Sequence, residues 1–91
     1  MERNQSVDIL KALADETRLS MVRKIALDSV PTPGHVLSGT CTQQLSQPTM
    51  SHHVNILVKA GILSVEKRGT QKVYSLRREA LSSIGIDVTK L

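Results

Sequence analysis

A mostly helical chain with one small β-hairpin, in the order α-α-α-α-β-β-α, is the fold class this sequence predicts, and three observations carry the prediction. The chain has 91 residues, room for one domain over 1–91 with one modest core. Tyr74 is its only Phe, Trp or Tyr, so Leu, Ile, Val, Met and Ala must fill that core, as they do between amphipathic helices. Apolar residues recur at helical spacing up to about residue 60 and then switch to a period of two on either side of Gly69.

The first helix is expected at residues 7 to 13, VDILKAL, with Val7, Leu10 and Leu13 on one face. Asp15 is a good N-cap for a second, from about Asp15 to Leu27. Its apolar stripe is Leu19, Val22, Ile25 and Ala26, with Arg18, Arg23 and Lys24 largely outside it. Pro31, Pro33 and Gly34 then forbid a continuing helix, and a loop is predicted. Val36 to Gln44 reads as a short, imperfect helix, because Gly39 and the Ser and Thr residues disfavour helix while Val36, Leu37 and Leu45 ask for burial. Ser46 caps a stronger helix, with Pro48 in its first turn where a missing N–H costs least. It should run to about Ala60 and stop at Gly61.

Projected at about 100° per residue, this fourth helix turns Met50, Val54, Leu57 and Val58 to the core. His52 and Asn55 fall on the far side with Lys59 beside them, and Thr49 and Ser51 lie at the flanks. His53 is expected at the edge of the apolar stripe, half buried and bonded to an acceptor. Beyond Gly61, ILSVEKRGTQKVYSL alternates as a hairpin with KRGTQK at its tip, Leu63 and Val65 on one strand and Val73 and Leu76 on the other. Ala80, Leu81 and Ile84 suggest a short terminal helix that Gly85 interrupts.

Charge is divided unevenly along the chain. Residues 1 to 45 hold five basic and five acidic residues, so the whole net charge of +4 lies in residues 46 to 91. No charged residue occurs from Ser29 through Val58. A basic second half is the footprint expected of a nucleic-acid binder. The order of elements is that of a winged helix-turn-helix, in which a helix in the major groove reads base edges with short polar side chains while phosphates are gripped elsewhere. Gln47, Thr49, Ser51, His52 and Asn55 are the candidate base readers. Lys59, Arg68, Thr70 and Lys72 are the candidate backbone contacts, with Arg77 or Arg78 as further cations and Arg68 placed for an adjacent minor groove.

LKALADETRLSMVRKI followed by LSQPTMSHHVNILVKAGILSVEKRGTQKVYSL resembles the ArsR/SmtB family of bacterial winged-helix repressors over about residues 7 to 77. The family's turn pattern matches at Ala12 to Leu19. The resemblance implies a homodimer joined through its first and last helices, binding double-stranded DNA at an inverted repeat and repressing transcription. It implies Gln47, Thr49, Ser51 and His52 as recognition residues and Glu66 to Lys72 as the wing. Many members sense metals through a cysteine pair or through Asp and His ligands on the last helix. Here there is one cysteine, Cys41, and the terminal segment has neither Cys nor His. Soft or borderline metal sites need three or four convergent ligands, so His35 and Cys41 are not expected to form one. The effector is expected to be of another kind, or absent.

No stretch of about 18 apolar residues occurs, and the start of the chain is not a basic segment followed by an apolar one, so a cytosolic protein without a membrane partner is expected. No cofactor is expected. Neither is catalysis, since acid and base candidates are scattered and no phosphate-binding Gly loop occurs. Two alternatives stay open: a winged-helix adaptor for another protein, and a metal or redox sensor built on Cys41.

Overall fold

The computed structural model describes residues 5–27, 31–34 and 46–91. Helix α1 (Gln5–Leu13) turns through Ala14 and Asp15 into α2 (Glu16–Leu27). A two-residue strand β1 (Thr32–Pro33) follows, then α3 (Gln47–Lys59), β2 (Leu63–Arg68), β3 (Gln71–Leu76), α4 (Arg78–Ser82) and a 3₁₀ turn at Val88–Lys90. The three strands form an antiparallel sheet in the order β1-β3-β2. The short helix expected at Val36 to Gln44 lies outside the described residues.

Helix α3 carries the fold's clearest start and stop. Ser46 accepts the Thr49 N–H on its hydroxyl at 3.4 Å, and Pro48 stands in the first turn. At the other end the Ile62 N–H bonds the Leu57 carbonyl and the Gly61 N–H bonds that of Val58, both at 3.0 Å. This pairing closes the helix with a left-handed residue, and Gly61 takes that role at φ +83°. The reversal drives Ile62 into the core beside Leu57, and both are fully buried. Met50 and Val54 complete the buried stripe and Val58 is half buried, so the projected core face holds.

The other helices depart from the expected faces in informative ways. On α1 the buried residues are Ile9, Ala12 and Leu13, whereas Val7 is 41% and Leu10 55% exposed. Of the expected face, Leu13 reaches the core while Val7 and Leu10 do not, because the core turns the helix toward Ile9 and Ala12. On α2, Met21 is fully buried alongside Val22 and Ile25, while Leu19 and Ala26 are only partly covered. The segment read as a loop at Pro31 to Gly34 contains β1, because Thr32 and Pro33 pair with Tyr74 and Val73 at the sheet edge. An edge strand is where a proline, which cannot donate to a ladder, is tolerated. In the hairpin only Leu63 of β2 is buried and Val65 is 46% exposed, since the strands run out beyond the helices. Gly69, at φ +65°, and Thr70 form the two-residue turn between Arg68 and Gln71.

Arg18, expected outside the α2 stripe, instead ties three helices together. Its Nε donates to the Ala12 carbonyl at 2.6 Å and a terminal nitrogen lies 3.2 Å from His53 Nδ1. A guanidinium has no acceptor, so with the ring neutral His53 accepts on Nδ1 and carries its proton on Nε2, and with the ring protonated it faces Asp15 as a cation. In the neutral form this reverses the expectation that His53 would seek an acceptor. Asp15 accepts the Arg18 backbone N–H at 3.0 Å as the N-cap of α2, and its Oδ2 lies 3.8 Å from His53 Nδ1.

The backbone N–H of Arg18 holds the Asp15 carboxyl below its ordinary value against the opposing effect of burial, and the charges of Arg18 and His53 add to the lowering. A depressed carboxylate contributes stability that is present above its unfolded value and is lost as pH falls through the folded one. Asp15→Asn should therefore lower the urea midpoint at neutral pH and flatten its decline in acid. Leu57→Ala should cost about 2–5 kcal/mol, and Gly61→Ala about 1–2 kcal/mol through its backbone alone. Urea unfolding at one fixed protein concentration checks all three, the concentration being fixed because any association adds to apparent stability.

Candidate nucleic-acid interface

The solvent side of α3 is almost free of charge. Gln47, Thr49, Ser51, His52, Asn55 and Lys59 are all exposed, and Lys59 alone among them is ionic. Burial of Met50, Val54 and Leu57 on the opposite side leaves this face no alternative but water or a ligand. Thr49 is partly committed to the helix start, since its hydroxyl accepts from Ser46 Oγ at 2.9 Å. Its own proton remains available to an outside acceptor. His52 meets the His53 ring edge-on, with centroids 5.5 Å apart, which steadies an otherwise free imidazole. Ser51, Gln47 and their neighbours thus offer donors and acceptors of the kind that base edges present.

The hairpin supplies the charge that α3 lacks. Lys67, Arg68 and Lys72 are exposed on its two strands, with Thr70 at the turn. Arg68 Nε lies 3.1 Å from Glu66 Oε1. An exposed pair of this kind is worth at most about 1 kcal/mol, so it orients the guanidinium without tying it up. Arg77 and Arg78, the further cations of the sequence reading, are exposed and the side chain of each makes a contact within the chain. Arg77 pairs with Glu79 at 3.4 Å, and Arg78 donates to the Ala26 carbonyl at the end of α2 at 2.9 Å. Arg78 is a helix cap, because the last carbonyls of α2 need donors and attract a cation.

Two depressions flank α3. A cleft of about 460 Å³ separates its first turns from the hairpin, lined by Gln47 and Ser51 on one side and by Thr70, Lys72 and Tyr74 on the other. A second, of about 300 Å³, lies at the far end, where Lys59 joins Lys11, Arg18 and Asp8. Sequence reasoning assigned neither Tyr74 nor Lys11 to the site. Tyr74 is legible in retrospect as the lone aromatic on the hairpin, whereas nothing local marks Lys11. Burial pushes the Tyr74 hydroxyl above its ordinary value, so it remains an O–H donor at neutral pH. Among the described residues no group of three His, Cys, Asp or Glu side chains converges for a metal, and His35 and Cys41 lie outside those residues. No described helix is long and apolar enough to cross a membrane.

Comparison with known proteins places this arrangement. No family model matches the chain. Over 80 residues it is 32% identical to an uncharacterised HTH-type transcriptional regulator of Methanocaldococcus jannaschii, covering 88% of this chain and 86% of that protein. Over 78 residues it is 32% identical to the arsenical resistance operon repressor of Staphylococcus xylosus, covering 84% and 69%. The crystal structure of an ArsR family transcriptional regulator superposes with a TM-score of 0.78 at 21% identity, covering 89% of this chain and 85% of the other. The identity and coverage of the relatives, with the winged fold and a polar outer face on α3, make this chain a member of the ArsR family of DNA-binding transcriptional regulators.

Proposed function

We propose that this regulator is a cytoplasmic repressor that binds an inverted-repeat operator as a homodimer, each subunit laying α3 in a major groove and its hairpin along the flanking backbone. The observation that carries this reading is the separation of chemistry along the chain: a reading face of neutral polar side chains on α3, and cations on the hairpin beside it. In this reading Gln47, Thr49, Ser51, His52 and Asn55 face the bases. Lys59, Arg68, Thr70 and Lys72 contact phosphates. Neutral side chains of this kind discriminate by hydrogen-bond pattern, whereas cations bind every sequence alike.

The homodimer is supported by apolar surface that one subunit leaves uncovered. Val7 and Leu10 stand out from α1, and Ile84, Ile86, Val88 and Leu91 of the terminal segment are only partly buried. These are the first and last elements of the chain. Joining them across a two-fold axis would bury their side chains and set two α3 helices at the spacing of operator half-sites.

Fluorescence anisotropy on DNA from upstream of the protein's own gene, against a shuffled duplex across a salt series, tests the reading. The upstream duplex should bind at least a hundredfold tighter, with affinity falling steeply as salt rises. Asn55→Ala should cost about 1–3 kcal/mol on the preferred duplex and little on the shuffled one. Arg68→Gln should weaken both and reduce the salt slope by about one. Equal affinity for all duplexes, promoter fragments from elsewhere in the genome included, would overturn sequence-specific repression.

A further inference from the structure

Tyr74 presents a problem that the reading of α3 and its hairpin does not solve. The residue is only 5% exposed, yet its hydroxyl has no hydrogen-bond partner among the described residues. A buried hydroxyl without a partner is costly, and such groups are rare in folded proteins. No fully enclosed side-chain oxygen or nitrogen among the described residues lacks a partner, so the Tyr74 oxygen keeps a small opening. That opening is the cleft between α3 and the hairpin. The ring lines it, and a Cβ added to Gly34 at its edge would stand 3.5 Å from Tyr74 Cε2, the carbon next to the one bearing the hydroxyl.

The rest of the cleft is chemically one-sided. Lys72 brings a positive charge, Ser51 and Thr70 bring hydroxyls and Gln47 an amide, and none of these side chains is hydrogen-bonded within the described residues. Among the described residues no carboxylate lines it. The start of α3 points the positive end of a 13-residue helix at the same space. Its contribution is field more than hydrogen bonding, because Pro48 has no N–H and those of Thr49 and Met50 are taken by Ser46. Neutral donors, one ammonium and a helix dipole, with no competing anion, match a tetrahedral oxyanion.

We propose that this cleft seats one phosphate-type oxyanion, with Lys72 as its counter-charge and the Tyr74 hydroxyl as a donor held ready inside the fold. Two sources share that chemistry. One is a backbone phosphate of bound DNA, which rests on the proposed DNA-binding role and would lock the hairpin to the start of α3 at one place on the operator. The other is a free inorganic oxyanion, for which no duplex is needed.

Because Tyr74 is the only tyrosine, protein labelled with carbon-13 at the tyrosine Cζ gives one reporter resonance. Titration with inorganic phosphate, against chloride at matched ionic strength, should move that resonance saturably with phosphate alone, and Lys72→Gln should abolish the effect. Identical responses to the two salts would overturn the proposal. Tyr74→Phe should leave the urea midpoint unchanged or raise it, since the lost hydroxyl has no partner among the described residues; a clear loss of stability would show a partner within the protein and overturn it equally. On DNA, Tyr74→Phe should weaken the preferred and shuffled duplexes by about tenfold each without altering the salt slope, as befits a neutral donor to a charged group. A phosphate-responsive protein whose Tyr74→Phe variant binds DNA like the parent assigns the cleft to the free oxyanion. A parent that binds no duplex defeats the repressor reading, and the phosphate titration still decides the cleft.

Discussion

Met50, Val54 and Leu57 fix α3 by one side only, and most of what this small protein offers to a ligand follows from that constraint. A helix held by a single apolar stripe keeps the other half of its surface unspent. With Tyr74 the only large aromatic, the grip depends on aliphatic packing, and the reversal at Gly61 adds Ile62 to it from beyond the helix end. The same reversal launches β2. The direction of the hairpin, and so the distance between its cations and the polar face of α3, is therefore set by the residues that end the helix.

The polar counterpart of that grip is the corner around Arg18. One guanidinium satisfies the carbonyl at the end of α1 and the imidazole of His53 on α3, while its backbone N–H caps onto Asp15 at the start of α2. A partly buried cation is tolerable only where its donors are met and an opposite charge stands near. Asp15 supplies that charge, and it reaches His53 as well. Because Arg18 can only donate, the corner also specifies which nitrogen of a neutral His53 is bare. Two adjacent histidines thereby take separate duties: His53 joins the scaffold, and His52 stays on the outer face.

How much of this was legible in the sequence depended on whether the signal was local. The cap at Ser46, the stop at Gly61, the core stripe of α3 and the hairpin turn at Gly69 are decided by a few neighbouring residues, and each stands where the sequence put it. Misreadings arose where a distant element chooses. Helix α1 is apolar on more than one side, and only packing against α2 and α3 turns Ile9 and Ala12, with Leu13, to the core. Strand β1 exists because Tyr74, some forty positions away, gives Thr32 and Pro33 an edge to pair with. Arg18 was read only as lying largely outside the apolar stripe of α2, because a helical wheel cannot show that His53 lies across from it. Of the candidate interface, the exposure of the polar residues of α3 was legible, while the cleft beside Tyr74 required knowing how the hairpin folds back.

The division between neutral helix and charged hairpin has a consequence for how such a protein finds its site. Cations on the hairpin attract any duplex, and that attraction is long-ranged and salt-sensitive. In the proposed reading, hydrogen bonds from Ser51, His52 or Asn55 would act only at contact and only when the pattern of base edges fits. Moving the charges onto α3 would raise general affinity without adding discrimination, since ammonium and guanidinium groups find phosphates on every sequence. With Ser29 through Val58 free of charge, the proposed reading assigns the search and the decision to different residues. A donor such as the Tyr74 hydroxyl, set between the two, would couple them, engaging one oxyanion only after the hairpin and the first turn of α3 have both come to rest.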